Sequence, residues 1–155
     1  MDEIFLQRAV DLALASLSLR EGGPFGAVIV RQGEIIAEGW NRVIATHDPT
    51  AHAEVVAIRA ACAQLGRHHL ADCTLYASSE PCPLCLSAAY WARLQRIVYA
   101  NPRAAAAAIG FCDDELYEEL RRPVNERRLP TEHLALANAD EPLRRWYADP
   151  QRIAY

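Results

Sequence analysis

The chain has 155 residues, is 52% hydrophobic and carries a formal net charge of −4, which is enough for one well-cored domain and gives no reason to draw a second. All 16 basic residues are arginine, and no block of them forms the basic stripe that tracks a phosphate backbone, so nucleic acid is a poor candidate for the main partner. Five cysteines in a domain of this size are expected as thiols, because no staple is needed to hold such a core.

The first segment, MDEIFLQRAVDLALASLSLR, opens acidic, and Gln7, Arg8 and Asp11 interrupt its apolar residues. It is neither a secretory signal nor a membrane span, and a cytoplasmic protein is expected. Helical periodicity runs over residues 3–20 with Ile4, Leu6, Val10, Leu14 and Leu17 among its apolar positions, until GGPFG breaks it. AVIV and EIIAEGW are β-branched runs joined across Gln32 and Gly33 and are expected to form a hairpin. A helix follows from about Thr50 to Leu65, stopped by Gly66. CTLYAS is a strand, PLCLSAAYWARL a helix with Pro83 suited to its first position, and RIVYA another strand. Strands that alternate with helices after an opening hairpin give a three-layer α/β sandwich with a mixed sheet.

Two helix starts carry the chemistry. Cys82 and Cys85 form a C-x-x-C where the CTLYAS strand gives way to a helix. The partial positive charge of a helix N-terminus lowers thiol pKa and favours the thiolate that binds metal. His52 takes the same kind of place on the earlier helix. Facing each other across one end of a sheet, the two starts would bring His52, Cys82 and Cys85 together as three zinc ligands, with a fourth position left for water. Glu54, two residues from His52, is then placed to take a proton from that water. Taken singly, each element has a plainer reading: a redox C-x-x-C, a structural histidine, a glutamate that complements the helix dipole. Cys62, Cys73 and Cys112 are expected as packed core thiols, and His47, His68, His69 and His133 as surface or loop residues.

The H-x-E…P-C-x-x-C arrangement is the signature of zinc deaminases of nucleobases. The chain resembles the cytidine deaminase-fold superfamily on this motif. With GGPFGAVIV, GWNRV, DPTAHAEVVAIRAA, CTLYASSEPCPLCLSAAYWAR, GFCDDELYEEL and the terminal Tyr155 added, it is most similar to the small bacterial guanine deaminases of that fold. The resemblance implies a single cytidine deaminase-like domain over residues 1–155, a three-layer α/β/α fold with a central mixed five-stranded sheet, and one zinc ion per chain. It also implies hydrolytic removal of an exocyclic amine from a free nucleobase, guanine to xanthine and ammonia, with Glu54 and Asp113 as the acid–base pair.

Base recognition is carried over from the same family. Asn41 would pair with the base edge, Phe25 would pack on the ring, and Trp91 would line the pocket or pack in the core. The backbone of Ala53 and Ser79 would add contacts, and Asp113 would touch the base as well. The segment 130–155 is expected to be swapped between the subunits of a homodimer, so that Tyr155 closes over the neighbour's base. Cys112 stands where another acid is expected in the family's segment. A tRNA adenosine deaminase or a deaminase of cytosine, isoguanine or an aminotriazine would share the zinc motif. From another class, a non-catalytic zinc-stabilised binding module would keep the ligands but have no use for Glu54.

Overall fold

The computed structural model describes residues 1–155. They fall into two compact units, Met1–Asp114 and Glu115–Tyr155. The first unit runs α1 (Asp2–Leu19), β1 (Gly26–Arg31), β2 (Glu34–Trp40), a single-turn α2 (Val43–Thr46), α3 (Ala53–Leu65), β3 (Cys73–Ser79), α4 (Pro83–Trp91), β4 (Arg96–Asn101) and the short α5 (Arg103–Ala107). No helix is long and apolar enough to cross a membrane.

The strands form one mixed sheet in the order β2-β1-β3-β4. β1 is antiparallel to both β2 and β3, whereas β4 is parallel to β3 and is reached through α4. The β1–β2 turn is Gln32-Gly33, both with positive φ, as a tight hairpin turn requires. β1 lies inside the sheet, and its alternating side chains serve two layers. Val28 and Val30 pack with Phe5, Leu12 and Tyr76 beneath α1. Ala27 and Ile29 pack with Leu75 and with Ala53, Ala57 and Ile58 of α3. Leu75 is fully buried in that second layer, where truncation to alanine would cost about 2–5 kcal/mol.

Small residues let α3 come close to the sheet. A Cβ on Gly39 would lie 2.3 Å from the Ala53 carbonyl oxygen and 2.7 Å from the Ala57 nitrogen. The N-terminus of α3 is therefore seated directly on the end of β2. α3 ends at Gly66 in the left-handed conformation with φ 62°, as the sequence indicates. Its first residue is Ala53, three later than the expected Thr50, because Asp48 draws Thr50 into a turn: the Asp48 carboxylate accepts both the N–H of Thr50 at 2.8 Å and its hydroxyl at 2.6 Å.

The sheet has four strands, so the expectation of five is corrected. All four are those legible as β-branched or apolar runs. After Asn101 the chain offers only Ile109, Val124, Thr131 and Ile153 as β-branched residues, each isolated, and no run able to form a fifth strand. The chain there makes helices and irregular backbone instead. Cys112 also departs from expectation: it is exposed, in the connection before α6 (Asp113–Arg121), whereas Cys73 is buried and Cys62 half-buried against the α3 core. Cys112 lies between the turn at residues 108–110 and α6, exposed.

In the second unit the rest of α6 is followed by a 3-10 turn, Val124–Glu126, and by α7 (Glu141–Ala148). Arg128 ties the segment after the turn back to Glu115 and Glu119 of α6. Leu143, Trp146, Tyr147, Ile153 and Tyr155 are all exposed.

Candidate active site

His52 is the N-cap of α3 and Cys82 the N-cap of α4. Helices usually place Ser, Thr, Asp or Asn there to bond an unpaired N–H, yet neither side chain makes a capping bond. Both side chains turn elsewhere. His52 Nδ1 lies 3.4 Å from Cys82 Sγ and 3.4 Å from Cys85 Sγ, and the two sulfurs are 3.6 Å apart. Pro83 opens α4 and sets Cys85 in its first turn. The remaining histidines, His47, His68, His69 and His133, lie outside this trio.

The trio fits zinc. Tetrahedral coordination at bond lengths of roughly 2.0–2.3 Å separates neighbouring ligand atoms by roughly 3.3–3.8 Å, which is the spacing seen. One imidazole and two thiolates are a zinc-type donor set, and all three ligand atoms lie within 4.8 Å of one another. Cys85 directs its thiol at Cys82, which holds the Cys82 pKa down to about 4, with His52 adding to the effect against the cost of burial. The neighbouring Cys82 sulfur and burial push Cys85 up, so the pair shares one proton. His52 is raised by its bond to Cys82, with burial opposing.

Glu54 sits in the first turn of α3 and is buried. Burial pushes its carboxyl up to about 7, and the negative Cys82 adds to this, while its own backbone N–H and Cys85 pull it down. A carboxyl poised there can both accept and release a proton at neutral pH.

These groups face a cleft lined by Phe25, Asn41, His52, Glu54, Glu80, Cys82, Ala106, Phe111 and Asp113. Phe25 and Phe111 meet edge to face, with ring centroids 4.8 Å apart and an interplanar angle of 88°. Asn41 is buried just past the end of β2, and its Oδ1 accepts the Val43 N–H at 3.2 Å. Asp113 opens α6, where burial raises its carboxyl pKa and the charge of Cys82 raises it further. Glu80 accepts the N–H of Arg103 at the start of α5 at 2.9 Å.

Of the residues singled out from sequence, Phe25, Asn41, His52, Glu54, Cys82 and Asp113 line one cleft, and Cys85 stands directly behind Cys82. Ala53 is buried at the start of α3 and Ser79 ends β3. Trp91 is 68% exposed at the end of α4 and is not part of the lining. Tyr155 lies in the second unit and is exposed. Glu80, Ala106 and Phe111 are lining residues that the sequence reading missed. Phe111 sits inside the GFCDDELYEEL segment, where an aromatic between a glycine and an acidic helix start is the only local signal.

Residues 1–101 match the cytidine and deoxycytidylate deaminase zinc-binding region. The chain is 51% identical to the guanine deaminase of Bacillus subtilis (strain 168) over 144 residues, 93% of this chain and 92% of that one. The X-ray structure of a guanine deaminase from Bacillus subtilis covers 99% of this chain and 98% of its own, at 48% identity and a TM-score of 0.96. A tRNA-specific adenosine deaminase of Haemophilus influenzae is 39% identical over 118 residues, 73% of this chain and 68% of its own. The chain belongs to the cytidine and deoxycytidylate deaminase zinc-binding family.

Proposed function

We infer that the chain is a zinc-dependent aminohydrolase that converts guanine to xanthine and ammonia. The observation that carries this reading is the convergence of His52, Cys82 and Cys85 on one cleft with the buried carboxyl of Glu54 beside them. A purely structural zinc site would not need a buried acid at its edge. Guanine is favoured over adenosine in tRNA by the 51% identity over 93% of the chain, against 39% over 73% for the tRNA enzyme.

His52, Cys82 and Cys85 would hold the zinc. Bound zinc supplies Lewis acidity that makes water a nucleophile near neutral pH. Glu54 accepts the proton of the attacking water and delivers it to the ring nitrogen beside the attacked carbon, which becomes tetrahedral. Asp113, its pKa raised by burial, protonates the departing amine; as the C–N bond breaks and ammonia leaves, the new hydroxyl becomes the carbonyl and its proton returns to Asp113. Asn41 and Phe25 hold the base. Because Asn41 Oδ1 already accepts the Val43 N–H, its amide N–H groups are the donors offered to an acceptor on the base edge. Phe25 packs on the ring, and the backbone of Ala53 and Ser79 adds contacts.

We further propose a cytoplasmic homodimer in which residues 130–155 of one subunit reach the other and Tyr155 closes over the neighbour's base. The exposure of Leu143, Trp146, Tyr147, Ile153 and Tyr155 supports a second copy, since a soluble monomer rarely leaves so many large apolar groups together in one short segment. Five free thiols fit a reducing compartment.

Ammonia release from guanine, isoguanine, adenine, cytosine, cytidine and an adenosine-containing tRNA loop tests the assignment. Guanine should be turned over fastest. If guanine is inert while another of the panel reacts, the substrate is wrong and the reaction class stands. If none reacts with the zinc-loaded protein, the binding-module reading replaces it.

A further inference from the structure

Asn41 lies just beyond the last residue of β2, and β2 is an edge strand. Past that point the Asn41 N–H donates to the Phe25 carbonyl at 3.0 Å and the Arg42 N–H to the Ala51 carbonyl at 2.9 Å, and the Asn41 side chain is buried and lines the cleft. Further contacts that fix its neighbours come from Glu21, in the connection between α1 and β1. The Glu21 carboxylate accepts the indole N–H of Trp40 and, at 3.1 Å, the Nε–H of Arg42, so one carboxylate grips both neighbours of Asn41. The Glu21 carbonyl accepts the N–H groups of Ile44 and Ala45, each at 3.1 Å, which anchors the turn of α2 that follows. Ser16, fully buried in α1, bonds the Asn41 carbonyl at 3.0 Å. Gly22 leaves the room needed, because a Cβ there would lie 2.0 Å from Asn41 Oδ1.

We propose that Glu21 is a positioning residue for base recognition: it clamps the chain on both sides of Asn41 and so aims the carboxamide into the cleft. The proposal rests on the assignment of Asn41 to the base edge. Glu21 is not among the cleft-lining residues, so its influence on the base passes through Trp40, Arg42 and Asn41. A loop residue with only a structural role would lower stability or zinc content, and it would not act selectively on base binding.

The test is steady-state guanine deamination by zinc-loaded full-length variants, with KM and kcat read separately. Glu21→Ala should raise KM about tenfold, as the loss of one well-aimed polar contact does. kcat should stay within about threefold of wild type, since the acid–base groups are untouched. Glu21→Gln should recover most of the loss, because its carboxamide oxygen still accepts the Trp40 N–H. In an Asn41→Ala background, Glu21→Ala should add less than about twofold to KM, as expected when one residue acts through the other. A wild-type KM for Glu21→Ala beside a raised KM for Asn41→Ala would overturn the clamp alone. So would a full Glu21→Ala effect on top of Asn41→Ala. A wild-type KM for Asn41→Ala would overturn the base-edge assignment itself. Should Glu21→Ala not fold, Trp40→Phe, which deletes the indole N–H and keeps an aromatic ring, is read by the same criteria.

Discussion

Cys82 Sγ stands 3.4 Å from His52 Nδ1, although 30 residues separate them along the chain. Two unrelated helix starts have been brought together at one end of the sheet, each giving up its usual capping side chain to do so. Purified protein should carry about one zinc per chain, and Cys82→Ala should lose both metal and activity. Cys62→Ala, altered at a half-buried thiol packed against α3, should keep both. Metal analysis after desalting decides it; full zinc retention in Cys82→Ala would remove this ligand set.

Asp113 stands at the start of α6, where an acid also complements the helix dipole. Asp113→Asn should slow ammonia formation by about 10–100-fold, less than loss of Glu54, because water activation is left intact. Kinetics equal to wild type would reduce Asp113 to a helix-terminus charge.

The end of α1 is fastened to the sheet by Asp2, whose carboxylate accepts the Tyr76 hydroxyl at 2.6 Å and an Arg96 N–H at 2.6 Å. The Arg96 bond, followed by that of Tyr76, holds the Asp2 carboxyl below its usual pKa. A depressed carboxyl stabilises the fold above its unfolded pKa of about 4 and loses that contribution as pH falls through the folded value. Asp2→Asn should therefore lower Tm at pH 7, with the gap closing as pH falls toward 2. An undiminished gap in acid would mean that the charge of Asp2 contributes nothing.

The exposed tail predicts complementation between subunits. Full-length Glu54→Ala chains can be co-expressed with chains that keep Glu54 but end before Gln151, and the mixed dimer isolated. If the tail acts across the dimer, the one intact tail covers the one competent site and activity returns toward half of wild type. If it acts within its own chain, neither site is complete and the mixed dimer stays as weak as the truncated homodimer.

Much of this was legible in the sequence because local signals and the fold agree. Short β-branched or apolar runs marked all four strands, and Gly66 and Pro83 marked helix ends through their backbone preferences. His52, Glu54, Cys82 and Cys85 could be found because metal chemistry demands fixed spacings at helix starts. Glu80, Ala106 and Phe111 could not be found that way: they enter the cleft through tertiary packing, and a glutamate, an alanine and a phenylalanine carry no spacing rule. The fifth strand came from family likeness alone, with no β-branched run behind it. Cys112 departs from a core position because its apolar neighbour Phe111 turns into the cleft against Phe25 while Cys112 itself is exposed.

The role proposed for the buried Glu54, moving the proton in guanine deamination, is tested most directly by Glu54→Gln. Glu54→Gln preserves size and removes only the ability to accept a proton, so one preparation can be assayed for zinc content, guanine binding and ammonia release. Zinc and guanine affinity should stay near wild type, with kcat reduced by about 1,000-fold or more. Turnover within tenfold of wild type in that zinc-loaded, guanine-binding variant would contradict that role.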